Sequence, residues 1–217
     1  MILAEELQRI EDALLPDHRK WGWIIYRTTY GDDAKWSQFI TTFQTLVREI
    51  TLMKDGGSQH VNYIDFPVRQ HSGFDKANAK DLRAHFKAWR FSDDTFEEQQ
   101  LDPSQREILL ESERYKYFIR VDAESMQSVL DMVGTTALDG AWVDLIQVDW
   151  PEIDSDDEGK QSGKTEEGFP PIEGMTNYEI GFQRVPIDQL YPTCWLDKMT
   201  IPEKWYTRPP GLTYRGA

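Results

Sequence analysis

Between Ala34 and Met53 the apolar residues Trp36, Phe39, Ile40, Phe43, Leu46, Val47, Ile50 and Met53 recur at steps of three and four. A stripe of that period lays one face of an α-helix against a core and requires a second layer to receive it. The segment just before it supplies that layer. Residues 21–30, "WGWIIYRTTY", are aromatic and β-branched and predict a strand. Gly31 breaks the strand, and Asp32 or Asp33 caps the helix that follows. "KDGGSQ" stops the helix with glycines suited to left-handed backbone. A second short strand is expected in "HVNYIDFPV", residues 60–68, with Pro67 at its end or on a sheet edge.

The same order then recurs. Residues 78–91 predict a helix with Leu82, Phe86 and Trp89 on one side. A polar stretch follows, expected as loop plus a short helix near 103–111. "YKYFIRV", 115–121, predicts a strand, and Asp122 to Gly134 a helix with Ala123, Met126, Val129, Leu130 and Val133 on its apolar side. Further strands are expected at 141–150 and 177–186. Strand, helix, strand, twice over, is the order of the split βαβ. The fold class expected is therefore α+β, a ferredoxin-like βαββαβ core with an antiparallel sheet, helices on one face and the other face open. An N-terminal helix, an extra helix insertion and an aromatic, proline-rich C-terminal tail would complete it.

The expected organisation is a single domain over 1–217: helix 1–16, core 21–150, acidic loop 151–171, and an extra strand with wrapped tail over 172–217. In the first helix Ile2, Leu3, Leu7, Ile10 and Leu14 share a stripe that Pro16 ends. The loop carries eight carboxylates and two lysines from Asp149 to Glu167, too polar to fold alone. "IIYRTTYGDDAKWSQFI" and "YFIRVDAESMQSVL" match as an internal duplication if Arg27 aligns with Arg120, which would make their strands the central antiparallel pair.

Charge narrows the function classes. The formal net charge is −14, so the mean surface repels phosphate backbones and anionic membranes. Neither nucleic acid nor membrane is expected as a partner. The single cysteine, Cys194, can form no internal disulfide and no cysteine-rich metal site. No apolar run approaches the roughly eighteen residues of a membrane span, and the N-terminus lacks a basic region and a cleavage site. The expected setting is a reducing compartment, cytoplasmic or nuclear.

Arg27 is the residue that the strand does not explain. Alternation puts Trp21, Trp23, Ile25, Arg27 and Thr29 in one row, and Ile24, Tyr26, Thr28 and Tyr30 in the other. In the later strand Lys116, Phe118 and Arg120 share a row. The proposed alignment brings Arg27 and Arg120 together on the open face among aromatic rings, where two guanidiniums suit a carboxylate, a phosphate or a planar ligand. The competing expectation is that both pair with the protein's own acids, such as Glu179 or Asp197, under Trp195 and Trp205. His60, Asp65, His71, Asp75, Asp81 and His85 match no metal-site spacing, so no metal and no cofactor is expected. No G-x-S-x-G, Walker-type loop or G-x-G-x-x-G occurs.

"WGWIIYRTTY", the following "DDAKW" and the later "RYKYFIRVD" resemble an uncharacterised group of small intracellular proteins from filamentous fungi. The resemblance covers these segments and the general layout, and it implies a source but no mechanism. Two function classes follow from the residues. The first is a non-catalytic binding or interaction protein, including a homodimer joined through open sheet faces. The second is a small-molecule enzyme or ligand binder for an anionic compound. Its pocket would be lined by Trp23, Tyr26, Arg27, Tyr30, Arg120 and Trp195, with Tyr30 or His85 moving a proton. No nucleophile, base or metal set converges in the sequence, which favours the first class.

Overall fold

Strand β1, Ile25–Arg27, is flanked on both sides. The sheet has the order β2-β1-β3-β4-β5, with β2 at Val68–Arg69, β3 at Tyr117–Val121, β4 at Trp142–Gln147 and β5 at Phe182–Pro186. The computed structural model describes residues 20–54, 59–105, 112–134, 140–150, 168–190 and 206–211. The expected helix 1–16, most of the acidic loop, Cys194, Trp195, Asp197 and Trp205 lie outside them. β1 runs parallel to β2 and β3, whereas β3, β4 and β5 are antiparallel in succession.

Parallel neighbours cannot be joined by a tight turn; the chain must cross the sheet between them. Helix α1, Asp33–Lys54, makes the crossing from β1 to β2. Helices α2 (Ala79–Arg90), α3 (Asp94–Gln99) and α4 (Glu113–Lys116) occupy the path from β2 to β3. Helix α5, Ala123–Leu130, joins β3 to β4, and the short α6, Ile187–Gln189, follows β5. The result is an α+β protein with a mixed sheet and six helices among the described residues.

The stripe read in the sequence is the buried side of α1: Trp36, Phe39, Phe43, Val47 and Ile50 pack on Ile25, Ile119, Val143, Leu145 and Val185, beside Met126 and Val129 of α5. Each such side chain gains about 1.5–3 kcal/mol from leaving water. On the other face Leu82, Phe86 and Trp89 of α2 cover Ile24, Tyr26, Phe118, Ile146 and Phe182. Both rows of β1 are therefore buried.

Two expectations are corrected here. The ferredoxin-like βαββαβ topology with an antiparallel sheet is not adopted, because the strand that follows β1 in space is a parallel neighbour on each side. The open sheet face is absent too, since α2 covers it. The register places Ile25 beside Ile119 and Tyr26 beside Arg120. The duplication alignment is off by one residue, and Arg27 and Arg120 point to opposite faces. The chosen rows hold within β1 and over residues 117–121, whereas Tyr115, expected in the row of Tyr117 and Ile119, lies in α4 and packs with Phe118; the matching of the rows between strands is inverted.

Two contacts fix the entry into β1. Gly22 sits at φ +110°, and a Cβ there would come 2.5 Å from the Asp65 carbonyl oxygen, so only glycine lets the 64–66 segment approach. Arg114, fully buried, donates to the carbonyls of Gly22 and Asp65, to the Asp65 carboxylate and to Gln99. Among the described residues no helix is long and apolar enough to cross a membrane.

Candidate functional site

The chain leaves β1 toward β2 through α1, and leaves β3 toward β4 through α5. Both helices lie on one face of the sheet, and Arg27 and Arg120 stand at or near the carboxyl ends of β1 and β3. Two clefts lie at this edge. The first, about 670 Å³, is lined by Arg27, Tyr30, Asp33, Trp36, Val68 and His71 among others. The second, about 510 Å³, includes Tyr30, Lys76, Arg120, Asp122, Glu124 and Glu173. Tyr30 borders both.

Arg27 is the last residue of β1 and is only 5% exposed. Its Nε donates to the Thr29 carbonyl at 2.8 Å, and Nη2 donates to Asp33 Oδ1 at 2.7 Å. Its guanidinium lies 4.5 Å from the Tyr30 ring centroid and 5.0 Å from that of Trp36. Trp36 also stacks on Phe39, with ring centroids 5.2 Å apart. Among the described residues Nη1 has no hydrogen-bond partner. Asp33, the first residue of α1, is 88% exposed although it holds a buried arginine.

Tyr30 ties the two strand ends together. Its hydroxyl donates to the Arg27 carbonyl at 3.1 Å and accepts the His71 amide proton at 2.8 Å. Burial raises its pKa, against the opposing His71 hydrogen bond and Arg27 charge, so the phenol remains protonated and is not a base. His71 Nδ1 accepts the Gly73 amide proton at 3.1 Å. That bond leaves the proton of the neutral ring on Nε2, which makes Nε2–H a donor.

Arg120 is arranged differently. Nε and Nη2 both donate to Asp144 Oδ2, at 3.1 and 2.8 Å, and Nη1 donates to Glu173 Oε1. Glu173 uses its other oxygen to accept the amide proton of Ala79, the first residue of α2, at 2.8 Å. The guanidinium also covers the Phe182 ring at 4.7 Å. Burial lowers the Arg120 pKa, and the charges of Asp144 and Glu173 more than reverse it, holding it above its ordinary value.

The six residues expected to form one pocket do not do so. Arg27 and Tyr30 share the first cleft, and Tyr30 and Arg120 border the second. Trp23 is fully buried on the α1 side and donates its indole N–H to the Glu113 carbonyl at 3.1 Å. Tyr26 is fully buried on the α2 side, its hydroxyl 2.8 Å from His85 Nδ1. His85 borders neither cleft, and burial, aided by the Arg69 and His71 charges, lowers its pKa. Trp195 lies outside the described residues. The arginines do answer to the protein's own acids, but to Asp33, Asp144 and Glu173 rather than to Glu179.

Sequence reasoning did not assign Asp33, Trp36 or His71 to a ligand site. It placed Asp33 as an alternative to Asp32 for the helix cap, a role that falls to Asp32, whose Oδ1 accepts the Lys35 amide proton at 2.9 Å, and it placed Trp36 on the apolar stripe and His71 among metal candidates. The available signal was position: all three follow closely on strand ends. Among the described residues no three His, Cys, Asp or Glu side chains are grouped so as to hold a metal ion. Comparison with protein-family models, curated proteins and solved structures returned no match.

Proposed function

We propose that the protein is a non-catalytic binding protein whose first cleft holds a small molecule bearing an anionic group. One observation carries this: Arg27 is nine-tenths buried, lines a cleft of about 670 Å³, and keeps one guanidinium nitrogen without a partner among the described residues. The volume is in the range of small-molecule sites. Nη1 is not shut away from solvent, so a ligand entering the cleft can reach it and pair with it. His71 Nε2–H offers a second donor in the same lining.

The second cleft fits an anion poorly. Asp75, Asp122, Glu124 and Glu173 border it against Lys76 and an Arg120 already matched by two carboxylates. The catalytic alternative lacks support in the first cleft. Ser37 donates to the Asp33 carbonyl, His71 Nδ1 is occupied by Gly73, and Tyr30 donates to a backbone carbonyl.

Thermal unfolding against a panel of small carboxylates and phosphates tests the proposal. A ligand present at a hundred times its Kd adds about 2.7 kcal/mol, roughly 5–10 °C for a chain of this size. The shift should vanish in Arg27→Met. A parent protein that no compound shifts would sink the proposal.

A further inference from the structure

We infer that the ligand of the first cleft is a monocarboxylate with an apolar body, and that Asp33 is the internal carboxylate it displaces. This rests on the ligand-binding reading of that cleft. The pair Arg27–Asp33 is unequal: the guanidinium is 5% exposed and its partner 88%. A carboxylate so exposed keeps most of its hydration while it donates nothing to the core, so it leaves at little cost. Arg27 cannot leave. Its Nε is tied to the Thr29 carbonyl and it lies over the rings of Tyr30 and Trp36. The fixed partner thus retains a carboxylate position, and the mobile one fills it provisionally.

Geometry favours an incoming carboxylate over Asp33. Asp33 engages a single N–H, on Nη2. A free carboxylate can take Nη1 and Nη2 together in the parallel two-bond arrangement that guanidinium and carboxylate prefer. Charge sets the class of anion. Among the described residues Arg27 is the one arginine or lysine that borders this cleft, and Asp33 remains nearby after it swings away. One negative charge is matched there; a phosphate dianion would leave an excess within a protein of net charge −14. Ile40 and Val68 in the lining provide the apolar contact for the rest of the molecule.

Calorimetric titration at pH 7.5 and fixed ionic strength, with sodium benzoate and phenylphosphonate as probes, tests this on the parent, Asp33→Asn and Arg27→Met. Benzoate should bind the parent, bind Asp33→Asn about fivefold more tightly once the competing charge is gone, and fail to bind Arg27→Met. Phenylphosphonate should bind the parent more weakly than benzoate. Equal or weaker benzoate binding by Asp33→Asn overturns the role of Asp33 while leaving the cleft intact. Tighter binding of phenylphosphonate than of benzoate overturns the choice of anion. Silence of both probes with both parent and Asp33→Asn overturns the cleft reading itself.

Discussion

Arg27 and Arg120 leave neighbouring parallel strands at nearly the same height, and the protein treats them in opposite ways. Arg120 faces α2 and is closed by its own chain: three nitrogens, two carboxylates, and a helix amide satisfied by the same Glu173. Arg27 faces α1 and lies over the rings of Tyr30 and Trp36, with one nitrogen lacking a partner among the described residues and an acid that stands mostly in water. The first arrangement is a structural brace. The second leaves chemistry available at a cleft. Equal burial of two arginines says little about their purpose; the exposure of the partner separates them.

Removing each arginine should separate them most clearly. Arg120→Met strands Asp144, which is 2% exposed, and breaking a buried pair costs about 3–5 kcal/mol. Arg27→Met strands no buried charge and should cost about 1 kcal/mol, mostly lost cation–π contact. Urea unfolding of both variants measures the gap, and equal losses would erase the distinction.

Next in size is a pH effect at the brace. Burial, only partly offset by Arg120 and reinforced by Asp122, pushes the Asp144 carboxyl up to about 6 from 3.8. The folded state thus holds a proton that the unfolded chain releases between these values. The stability it supplies is complete below the lower value and is lost as pH rises through about 6. His85, whose pKa burial lowers from 6.5, works in the opposite sense over the same interval, so the effect is read as a difference: from about pH 7.5 to 5.5 the thermal midpoint of the parent should gain on that of Asp144→Asn. Glu98, whose pKa is lowered chiefly by its hydrogen bond to Arg69, acts in the opposite sense below about 4.5, outside that interval. Coincident profiles for parent and variant would contradict the assignment.

Smaller effects belong to the cleft. Tyr30→Phe deprives the His71 amide and the Arg27 carbonyl of their partner and should cost about 1 kcal/mol by denaturant titration. Asp33→Asn should change stability by less than about 0.5 kcal/mol. A larger loss would make Asp33 a brace like Asp144.

The helices were the most legible part of the sequence. The stripe at 34–53 became α1, Asp33–Lys54, and 78–91 became α2, Ala79–Arg90. Asp122 caps α5 as expected, with Ser125 completing a capping box. The polar stretch hid α3, Asp94–Gln99, because only Thr95, Phe96 and Gln99 are buried and no stripe results. "HVNYIDFPV" yields only Val68 to β2; residues 59–63 form a 3-10 turn instead. Tyr115 and Lys116 lie in α4, so β3 starts at Tyr117.

The direction of β1 was written in its composition and was misread. Ile24 and Tyr26 are as apolar as Trp23 and Ile25, and a strand apolar on both rows belongs between two layers of helix, usually beside parallel neighbours. The site was legible in part. Arg27 stood out as a charge in an aromatic strand, but the Tyr30–His71 bond spans forty-one positions. Nothing in local spacing marks such a contact. The acid that answers Arg27 came from the next helix, six residues on, where it was already one of two candidates for the cap.

Two-dimensional amide spectra of the parent protein titrated with sodium benzoate test the central claim directly, because they locate the ligand as well as detect it. Saturable shifts should gather on Tyr30, Asp33, His71 and the Trp36 indole around the first cleft, and should be absent from Arg120, Asp122 and Glu173 around the second. Shifts that cluster at the second cleft, or none at saturating benzoate, would contradict the assignment of Arg27 as the open arginine.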